Sequence, residues 1–404
     1  MVGSARTGRR RTLRGGVALL ALSALSASCT AHSRPASLPA SPTSTPGVAP
    51  APSASATKVA GKVRPFPMVL SFSDTRHGLL IGLGCPRSKC PEAAWLTADG
   101  GHTWTRGGDL PRGSRFTYAV NFFAADAQNL FLSQSDADYA SHDGGLHWSR
   151  LPAPRFTHLV GVAGSVWLSK AVACRRAPNP ACTVSLSSMI AVGGPISSRP
   201  APPTQGEPIA SIQRVGHTLV LEAGQADGGR TVLLSSTDAG YHWITRSNPC
   251  GRLAMGLSAS ADGALWALCA EGLGAGQEPK KLFVSADAAQ HWAARPDPQA
   301  GGYSRDVHAI SATVAWRTGY AGSGRSDLFR TQDAGRTWTD PLAGRVGESG
   351  GGSPYLFAGP TGQDAWVAAY DVFDPKTNTF AGPALLVTHD GGHTWHELPL
   401  PIAR

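Results

Sequence analysis

The pattern of hydrophobic and polar positions after residue 62 is that of short strands separated by polar turns. Apolar, partly β-branched runs recur, such as Lys281-Leu282-Phe283-Val284 and Leu385-Leu386-Val387, and each is bounded by Gly, Asp or Ser. An amphipathic helix would need apolar residues about three to four positions apart over a dozen residues, a spacing that does not occur in this region. The pattern therefore predicts a nearly all-β fold.

Six of the apolar runs lead into one octapeptide, which has Ser or Thr first, Asp third and Trp eighth. Its fifth residue is Gly in five copies and Ala289 in the fourth. Asp accepts hydrogen bonds from backbone N–H groups just downstream, Gly permits a positive φ, and Trp fills space between packed sheets. This predicts a turn between two strands rather than a catalytic site, with the structural residues Asp99, Trp104, Asp143, Trp148, Asp238, Trp243, Asp287, Trp292, Asp333, Trp338, Asp390 and Trp395.

The spacing of the copies predicts the architecture. Their first residues lie 44, 95, 49, 46 and 57 residues apart, and the longest gap holds two units if one octapeptide near Ser187 has decayed. Upstream of the octapeptides, large apolar residues recur in a second strand, with Leu80 in the first unit and Phe131 in the second. The others are Trp167, Trp266, Trp316 and Trp366. Seven units of about 45 residues predict a seven-bladed β-propeller of four-stranded blades over residues 63–404.

The N-terminal region has a different composition. Residues 1–28 contain five arginines, no acidic residue and a short apolar segment, which predicts a signal peptide. Residues 29–62 begin with Cys29 and are rich in Ala, Pro, Ser and Thr, which predicts a disordered linker. Of the net charge of +9, five units belong to the signal peptide, so the charge does not point to nucleic acid.

The stretch Leu25-Ser26-Ala27-Ser28-Cys29 resembles a bacterial lipoprotein lipobox, although Ser26 replaces the usual leucine. The resemblance implies lipidation of Cys29 and an anchor on the outer face of the cell membrane; cleavage near Ala27 without lipidation is the alternative. Arg10-Arg11 is also part of a twin-arginine pattern, so the export route, Sec or twin-arginine, stays open.

The other six cysteines form three close pairs in sequence. Because each pair falls within one unit and none has CxxC spacing, structural disulfides are favoured over a zinc site. Six cysteines permit 15 connectivities, of which the local one is predicted. The pairs are Cys85/Cys90, Cys174/Cys182 and Cys250/Cys269.

The octapeptide resembles the Asp box, or bacterial neuraminidase repeat, and His77-Gly78-Leu79-Leu80-Ile81-Gly82 followed by Thr97–Trp104 is similar to the photosystem II assembly factor family. The resemblance implies a scaffold role for the boxes and, as one candidate function, an assembly factor for a membrane complex. Because no catalytic constellation emerges from the sequence, we expect a monomeric protein- or glycan-binding module without cofactor or metal. That family also uses an arginine-rich face, for which scattered arginines are candidates here, with solvated loops as the alternative: Arg305, Arg317, Arg325, Arg330 and Arg336.

A glycoside hydrolase is the alternative function. A sialidase would need a phenol and arginines, for which Tyr303, Tyr320 and Tyr370 are candidates beside Arg305 and Arg317. Two carboxylates across one cleft would serve other glycosidases. The acidic residues outside the boxes are Asp74, Glu222, Glu271, Asp306 and Asp371.

Two further expectations concern single segments. The long loop Tyr370–Thr379 is the first choice for recognition of a partner. The histidines at the seventh box position are expected to be partly buried turn residues, in separate blades and therefore unable to share a metal; they are His147, His242 and His291.

Overall fold

The computed structural model describes the chain from residue 66 to residue 401 with gaps. The predicted signal peptide, the linker with Cys29, and Cys85, Cys90, Cys174 and Cys182 lie outside the described residues. The described ranges are 66–83, 92–111, 121–124, 128–133, 137–151, 158–162, 165–172, 183–189, 196–207, 209–224, 231–251, 255–270, 280–298, 303–320, 326–343, 355–369, 372–374, 379–381 and 383–401.

The first half of the described chain forms four antiparallel sheets, each made from one continuous segment. Sheet 1 contains β1 (Phe66–Phe72), β2 (Gly78–Leu83), β3 (Glu92–Thr97) and β4 (Thr105–Asp109). Sheet 2 contains β5 (Asn121–Ala124), β6 (Leu130–Ser133), β7 (Asp138–Ser141) and β8 (Ser149–Arg150). Sheet 3 contains β9 (His158–Val162), β10 (Ser165–Val172), β11 (Thr183–Met189) and β12 (Ser197–Arg199). Sheet 4 contains β13 (Ile209–Val215), β14 (Thr218–Ala223), β15 (Val232–Ser236) and β16 (Ile244–Arg246).

The second half repeats the arrangement with two departures. Sheet 5 contains β17 (Met255–Ala259), β18 (Leu265–Ala270), β19 (Lys280–Ser285) and β20 (Ala293–Arg295). Sheet 6 contains β21 (Tyr303–Ala309), β22 (Ala315–Tyr320) and β23 (Ser326–Thr331). Sheet 7 contains β24 (Tyr355–Ala358), β25 (Ala365–Ala369), β28 (Ala384–Thr388) and β29 (His396–Leu398), and between its second and third strands lies the inserted hairpin β26 (Val372–Asp374) and β27 (Thr379–Ala381).

The prediction of an all-β propeller with four-stranded blades is confirmed in part. Six sheets have four strands in the order of the chain, but sheet 6 has three. Where its outer strand is expected, the described residues form a single antiparallel bridge between Arg330 and Thr339. Pro341 follows two residues later, and proline lacks the N–H that a longer ladder would need.

Consecutive sheets pack face to face, and the last packs on the first. Phe72 of sheet 1 stacks on Trp366 of sheet 7 with ring centroids 3.9 Å apart, and Trp366 Nε1 donates a hydrogen bond to the Gly100 carbonyl at 2.8 Å. Leu398 and Leu400, at the end of the chain, join the same apolar cluster. The ring is therefore closed by packing of sheet 7 on sheet 1, with no strand exchanged between them among the described residues.

Strand register corrects two details of the predicted repeat. The first residue of each box pairs with the residue before the large apolar one, as Thr331 does with Ala315 before Trp316. In sheet 1, Thr97 pairs with Gly78, so Leu79 and not Leu80 takes the tryptophan's place. Leu80 lies on the other face of the strand, in the cluster with Trp366, because successive residues alternate between the faces of a sheet.

The strand register also changes where the decayed box of sheet 3 begins. Met189 pairs with Val166, the residue before Trp167, so the box position begins at Met189 rather than near Ser187. The second to seventh positions of that box fall in 190–195, outside the described residues, and the eighth position, tryptophan in the other boxes, is Ile196.

Cys250, in the connection between β16 and β17, is joined by a disulfide to Cys269 on β18, and both lie in the apolar cluster between sheets 4 and 5. In the part of the chain that the structure describes, no helix is long and apolar enough to cross a membrane.

Candidate functional site

Each box is a turn held by its own side chains. In sheet 1, Thr97 Oγ1 donates to Asp99 Oδ1 at 2.8 Å and accepts from the Gly101 N–H at 2.8 Å. Asp99 Oδ1 also accepts from the Thr103 N–H at 2.9 Å, and Oδ2 accepts from the Thr103 hydroxyl at 2.6 Å. These contacts use both carboxylate oxygens inside the octapeptide, which supports a structural role for the aspartate.

The hydrogen bonds also set the charge state of these aspartates. Those from the Thr103 hydroxyl and N–H lower the pKa of Asp99 from 3.8 to about 2. At Asp143, burial raises the pKa, but the hydrogen bonds from His147 and Ser141 outweigh it and bring the pKa to about 2. Each carboxylate is thus ionised over the whole physiological range, and neither is tuned as a proton donor at neutral pH.

The seventh box position is either Thr or His, and both bind the same carboxylate oxygen. His147 and His291 Nδ1 lie 2.6 Å from Oδ2 of the aspartates of their own boxes, and His242 does the same at 2.5 Å. Their side chains are 89–90% exposed. The expectation that they are partly buried is wrong, because only Nδ1 turns toward the box and the rest of the ring projects into solvent.

The topology separates two edges of the propeller. In an antiparallel sheet of four sequential strands, the turn between the first two strands and the turn between the last two lie at one edge, which we call the box edge. The connection between the second and third strands leaves from the opposite edge. Within the expected recognition segment Tyr370–Thr379, the described residues 372–374 and Thr379 belong to the hairpin β26–β27, which follows the second strand of sheet 7 and pairs Phe373 with Phe380.

The described acidic residues that are candidates for a glycosidase fall on different sheets. Asp74 lies in the turn between β1 and β2, where its Oδ2 is 2.8 Å from His77 Nδ1. Glu222 is buried in sheet 4 and accepts a hydrogen bond from Ser211 at 3.1 Å, and Asp306 lies on β21 of sheet 6. Three different sheets thus carry these three carboxylates; Glu271 and Asp371 fall outside the described residues.

The arginines proposed for an exposed face are placed differently. Arg317 is buried and its Nε lies 3.0 Å from Asp297 Oδ1. Arg330 is buried, its Nε donates to the Gly362 carbonyl at 2.9 Å, and its guanidinium lies 5.4 Å from the ring centroid of Trp316. Neither residue lies on an exposed face or in a solvated loop, because each contributes to packing between sheets.

The remaining candidates give a mixed picture. Arg336 is exposed and its Nη1 donates to the carbonyl of Asp333 in its own box. Arg325 and Tyr370 lie outside the described residues, and for Arg305, Tyr303 and Tyr320 only the backbone positions in β21 and β22 are described. No group of three or more His, Cys, Asp or Glu that could hold a metal ion occurs among the described residues.

A second repeated contact joins each sheet to the next. At several junctions, the tryptophan of the second strand inserts beneath the box of the following sheet; we call this space the indole slot. Trp266 Nε1 donates to the Ser311 carbonyl at 2.9 Å, and a methyl group on Gly335, at the fifth box position, would lie 3.2 Å from the Trp266 ring. Trp316 makes the equivalent bond to the Thr361 carbonyl at 3.1 Å.

The junction between sheets 1 and 2 has Leu79 at this position, and a cavity of about 270 Å³ that is open to solvent lies beside it. Leu79 and Leu96 form its wall in sheet 1, and Leu130, Asp143 and Gly144 in sheet 2 complete it. Polar groups also line it, namely Ser71, Ser73, His77, Thr105 and Gln128. Leu146, which is 45% exposed, is a further lining residue.

Sequence reasoning missed this cavity, although the signal was present. The repeat shows tryptophan in the second strand of four units and a smaller residue in the first. The strand register is needed to see that Leu79 occupies the position that tryptophan holds in other units. The lining of the cavity then places it near the box of sheet 2.

Comparisons with known proteins identify the fold only. No family model matches the chain, and no curated protein matches its sequence. Among solved structures, it is similar to YCF48 bound to D1 peptide, with a TM-score of 0.50 and 16% identity over 81% of this chain and 94% of that one. An ancestral GH74 enzyme gives 0.51 and 12% over 83% and 54%, and the Pyrococcus horikoshii acylaminoacyl peptidase gives 0.50 and 9% over 83% and 52%. These likenesses, together with the sheets described above, show a β-propeller.

Proposed function

We propose that this protein is a non-catalytic propeller that binds a polypeptide partner. The observation that carries the proposal is the disposition of the carboxylates. The described box aspartates are bound within their own turns, and Asp74, Glu222 and Asp306 lie in three different sheets. Most glycosidases other than sialidases need two carboxyl groups about 5–10 Å apart across one cleft.

Among the binding functions, a protein ligand is favoured over a glycan. One of the similar structures is YCF48 with a bound D1 peptide, which is an example of a peptide on this fold. The cavity between sheets 1 and 2 has both leucine walls and hydrogen-bonding groups, a combination that suits a peptide carrying an apolar side chain.

We also propose that sheet 6 is a seventh blade whose outer strand has shortened to one bridge, and that the chain is exported and anchored by Cys29 on the outer face of the membrane as a monomer. The anchor predicts that Cys29→Ser moves the protein from the membrane fraction to the soluble fraction. Retention of the variant in the membrane would refute lipidation without affecting the binding proposal.

The binding proposal is tested by two assays of the purified protein. A photo-reactive amino acid in place of Leu146, beside the cavity, is expected to give one adduct on native membranes. The same change at Tyr241, which occupies the equivalent box position in sheet 4 and is 50% exposed, is the matched control.

Sialoside and β-glucan reporters are expected to stay intact. Turnover of either reporter that disappears in Glu222→Gln or Asp306→Asn would establish the glycoside hydrolase instead. Equal labelling from Leu146 and Tyr241 would show that the cavity does not select the partner.

A further inference from the structure

The solvent-open pocket between sheets 1 and 2 has carboxylate groups at both sheets. Asp143 lines it from the box of sheet 2, with a side chain that is 38% exposed. From sheet 1, His77 lines it, and His77 Nδ1 lies 2.8 Å from Oδ2 of Asp74. Arg76 is exposed in the same turn but is not a lining residue, and no lysine or arginine occurs among the described residues of the lining. The lining therefore favours a cationic ligand.

The Asp143 carboxylate has an acceptor position left for such a ligand. An ionised carboxylate has about four lone-pair positions. Oδ1 accepts from the Ser141 hydroxyl and from the His147 N–H, each at 2.9 Å, and Oδ2 accepts from His147 Nδ1 at 2.6 Å. Since the pKa of Asp143 is lowered to about 2, the group is ionised at neutral pH and can accept one more hydrogen bond at Oδ2.

His77 provides a second acceptor in the pocket. The carboxylate of Asp74 can only accept, so His77 Nδ1 donates to it and Nε2 of the neutral ring carries the lone pair. Asp74 is fixed in turn by the N–H groups of Arg76 and His77, at 2.7 Å each. The box histidines pair with aspartate in the same way, but their side chains are 89–90% exposed, whereas that of His77 is 40% exposed.

The pocket also has apolar surface that a ligand can reach. Leu96 is half-buried, and Leu146 is 45% exposed; both are lining residues. Thr105 adds an exposed hydroxyl on the outer strand. A side chain with an aliphatic stem and a charged end places the stem along apolar surface and the end among polar groups. Lysine and arginine have this form.

We propose that the pocket between sheets 1 and 2 binds a lysine side chain of the partner polypeptide, with the ammonium group at Asp143. This inference rests on the proposed polypeptide-binding function and names the group that is recognised; the methylene groups of lysine supply the apolar surface. Lysine is favoured over arginine because Oδ1 of Asp143 already accepts two hydrogen bonds. The paired hydrogen bonds of a guanidinium need both carboxylate oxygens, whereas an ammonium is a compact charge that needs one.

The test measures binding of Nα-acetyl-L-lysine N-methylamide to the purified protein by saturation-transfer NMR. Asp143→Asn keeps the size of the side chain and removes its charge. Asp238→Asn is the matched control, because Asp238 also accepts from the hydroxyl of the first box residue and from the N–H and Nδ1 of a histidine, but lies outside the described lining. The norleucine derivative serves as a probe with an aliphatic side chain and no ammonium group, and the arginine derivative as the bidentate one.

We expect affinity for the lysine probe to fall about fivefold in Asp143→Asn, to stay unchanged in Asp238→Asn, and to weaken as salt is added. The norleucine and arginine probes should bind the wild type more weakly than lysine does. Equal affinity of the wild type and Asp143→Asn for lysine, or binding of either other probe as tight as that of lysine, would overturn the proposal.

A second variant keeps the test independent of the box. Thr105→Lys places an ammonium beside the pocket from an exposed strand position, and should also lower affinity for the lysine probe. Ser149→Lys is its control, because Ser149 follows the box tryptophan of sheet 2 as Thr105 follows that of sheet 1, is equally exposed and lies outside the described lining. If Asp143→Asn does not fold, the comparison of Thr105→Lys with Ser149→Lys decides.

The membrane experiment separates this inference from the proposed function. In the protein that carries the photo-reactive residue at position 146, Asp143→Asn is expected to reduce the adduct and Asp238→Asn to leave it unchanged. An adduct that persists in full with Asp143→Asn would refute lysine recognition while leaving the polypeptide partner. Lysine binding by the purified protein without any adduct on membranes would refute the partner and leave the pocket's preference.

Discussion

Neighbouring sheets pack through different groups at two junctions of the ring, the one between sheets 6 and 7 and the one between sheets 1 and 2. Between sheets 6 and 7, two large side chains of sheet 6 fill the space. Trp316 is bonded to the Thr361 carbonyl, and the guanidinium of Arg330 lies above its ring and is bonded to the Gly362 carbonyl. A Cβ on Gly391 would lie 2.5 Å from Arg330 Cζ, so the side chain fits against the bare backbone of the next box.

Between sheets 1 and 2, the outer strand and the box approach through backbone instead. The Gly108 N–H donates to the Gly145 carbonyl at 2.9 Å, and a Cβ on Gly108 would lie 1.7 Å from the Leu146 carbonyl oxygen. The contact is tight at the rim of the propeller; Leu79, further in, is buried, and a pocket of about 270 Å³ that opens to solvent lies beside it.

The difference shows how the repeat keeps its geometry with slot residues of unequal size. The position of sheet 2 is held by backbone contact at the rim and by the apolar cluster of Leu79, Ile81, Ala94, Leu130 and Leu132. At the junction of sheets 6 and 7, the indole of Trp316 and its hydrogen bond to the next sheet hold the sheets together. A leucine in the slot is thus compensated by backbone contact at the rim and by neighbouring aliphatic side chains.

Breaking the rim contact should have the largest effect. Gly108→Ala places a methyl group in direct conflict with the Leu146 backbone, and neither strand can yield without losing the Gly108–Gly145 hydrogen bond. We expect a loss of about 3 kcal/mol or more in the free energy of unfolding, measured by urea denaturation.

Gly256→Ala is the control, because a Cβ there would meet Leu268 at 3.9 Å, an ordinary contact. We expect its free energy of unfolding to change by less than about 1 kcal/mol. Equal stability of the two variants would show that sheet 2 is not held through Gly108.

Replacing the tryptophan between sheets 6 and 7 by the leucine found between sheets 1 and 2 should reduce the free energy of unfolding somewhat less. Trp316→Leu removes the indole from the slot between sheets 6 and 7 and leaves the Thr361 carbonyl without its donor. Truncation of buried aromatic residues costs about 3–5 kcal/mol when the site cannot collapse, and leucine retains part of the volume, so we expect about 2–3 kcal/mol.

Trp316→Phe keeps most of the ring and loses chiefly the hydrogen bond, for which about 1 kcal/mol is expected. Urea denaturation of the two variants separates the two contributions. A smaller loss for Leu than for Phe would mean that the junction can close around the gap, contrary to the comparison drawn above.

Sequence patterning was sufficient for the fold because the repeat is redundant. Six boxes with Ser or Thr, Asp and Trp at fixed positions define the turns, and the structure builds each with the same hydrogen bonds, as at Asp99 and Asp143. The strands follow from alternation around those turns. The one-residue error at Leu80 arose because adjacent leucines carry no sign of which sheet face they occupy.

The candidate site depended on information that local patterns do not carry. Arg317 and Arg330 look like surface charges in the sequence, and only the packing of neighbouring sheets shows that each is buried against a specific carboxylate or carbonyl. The slot required a comparison across a junction, between Leu79 of one unit and the glycines of the next. Such pairings join residues about 65 positions apart and follow from the ring, not from the unit.

Enlarging the slot residue between sheets 1 and 2 should have a smaller effect, of the opposite sign. Leu79→Trp gives this junction the residue that four other junctions carry, beside a pocket of about 270 Å³. Cavity-filling substitutions commonly add about 0.5–2 kcal/mol, and we expect a gain at the lower end because the slot also has a polar lining. Urea denaturation measures the gain, and the same change at Leu80, which packs against sheet 7, is expected to destabilise through overcrowding. Destabilisation by Leu79→Trp to the same extent would show that the cavity does not have the shape of an indole.

The smallest expected effect tests whether the box aspartates of sheets 1 and 2, Asp99 and Asp143, differ in how their charge contributes to stability. Asp99 belongs to the box that contacts Trp366, and Asp143 lines the cavity between sheets 1 and 2. The pKa of each is nevertheless lowered from 3.8 to about 2 by hydrogen bonds within its own octapeptide. A carboxyl whose pKa is lowered by folding stabilises the protein above its unfolded pKa, and that contribution is lost as the pH falls through the folded value. The stability difference between wild type and Asp99→Asn is therefore expected to be constant above about pH 5 and to shrink between about pH 4 and pH 2, with the same profile for Asp143→Asn. At neutral pH, each difference should be at most about 1 kcal/mol, because the groups are half exposed and water screens them. Thermal unfolding as a function of pH checks both variants. A divergence between the two profiles would mean that the surroundings of the cavity, and not the box alone, set the charge of Asp143.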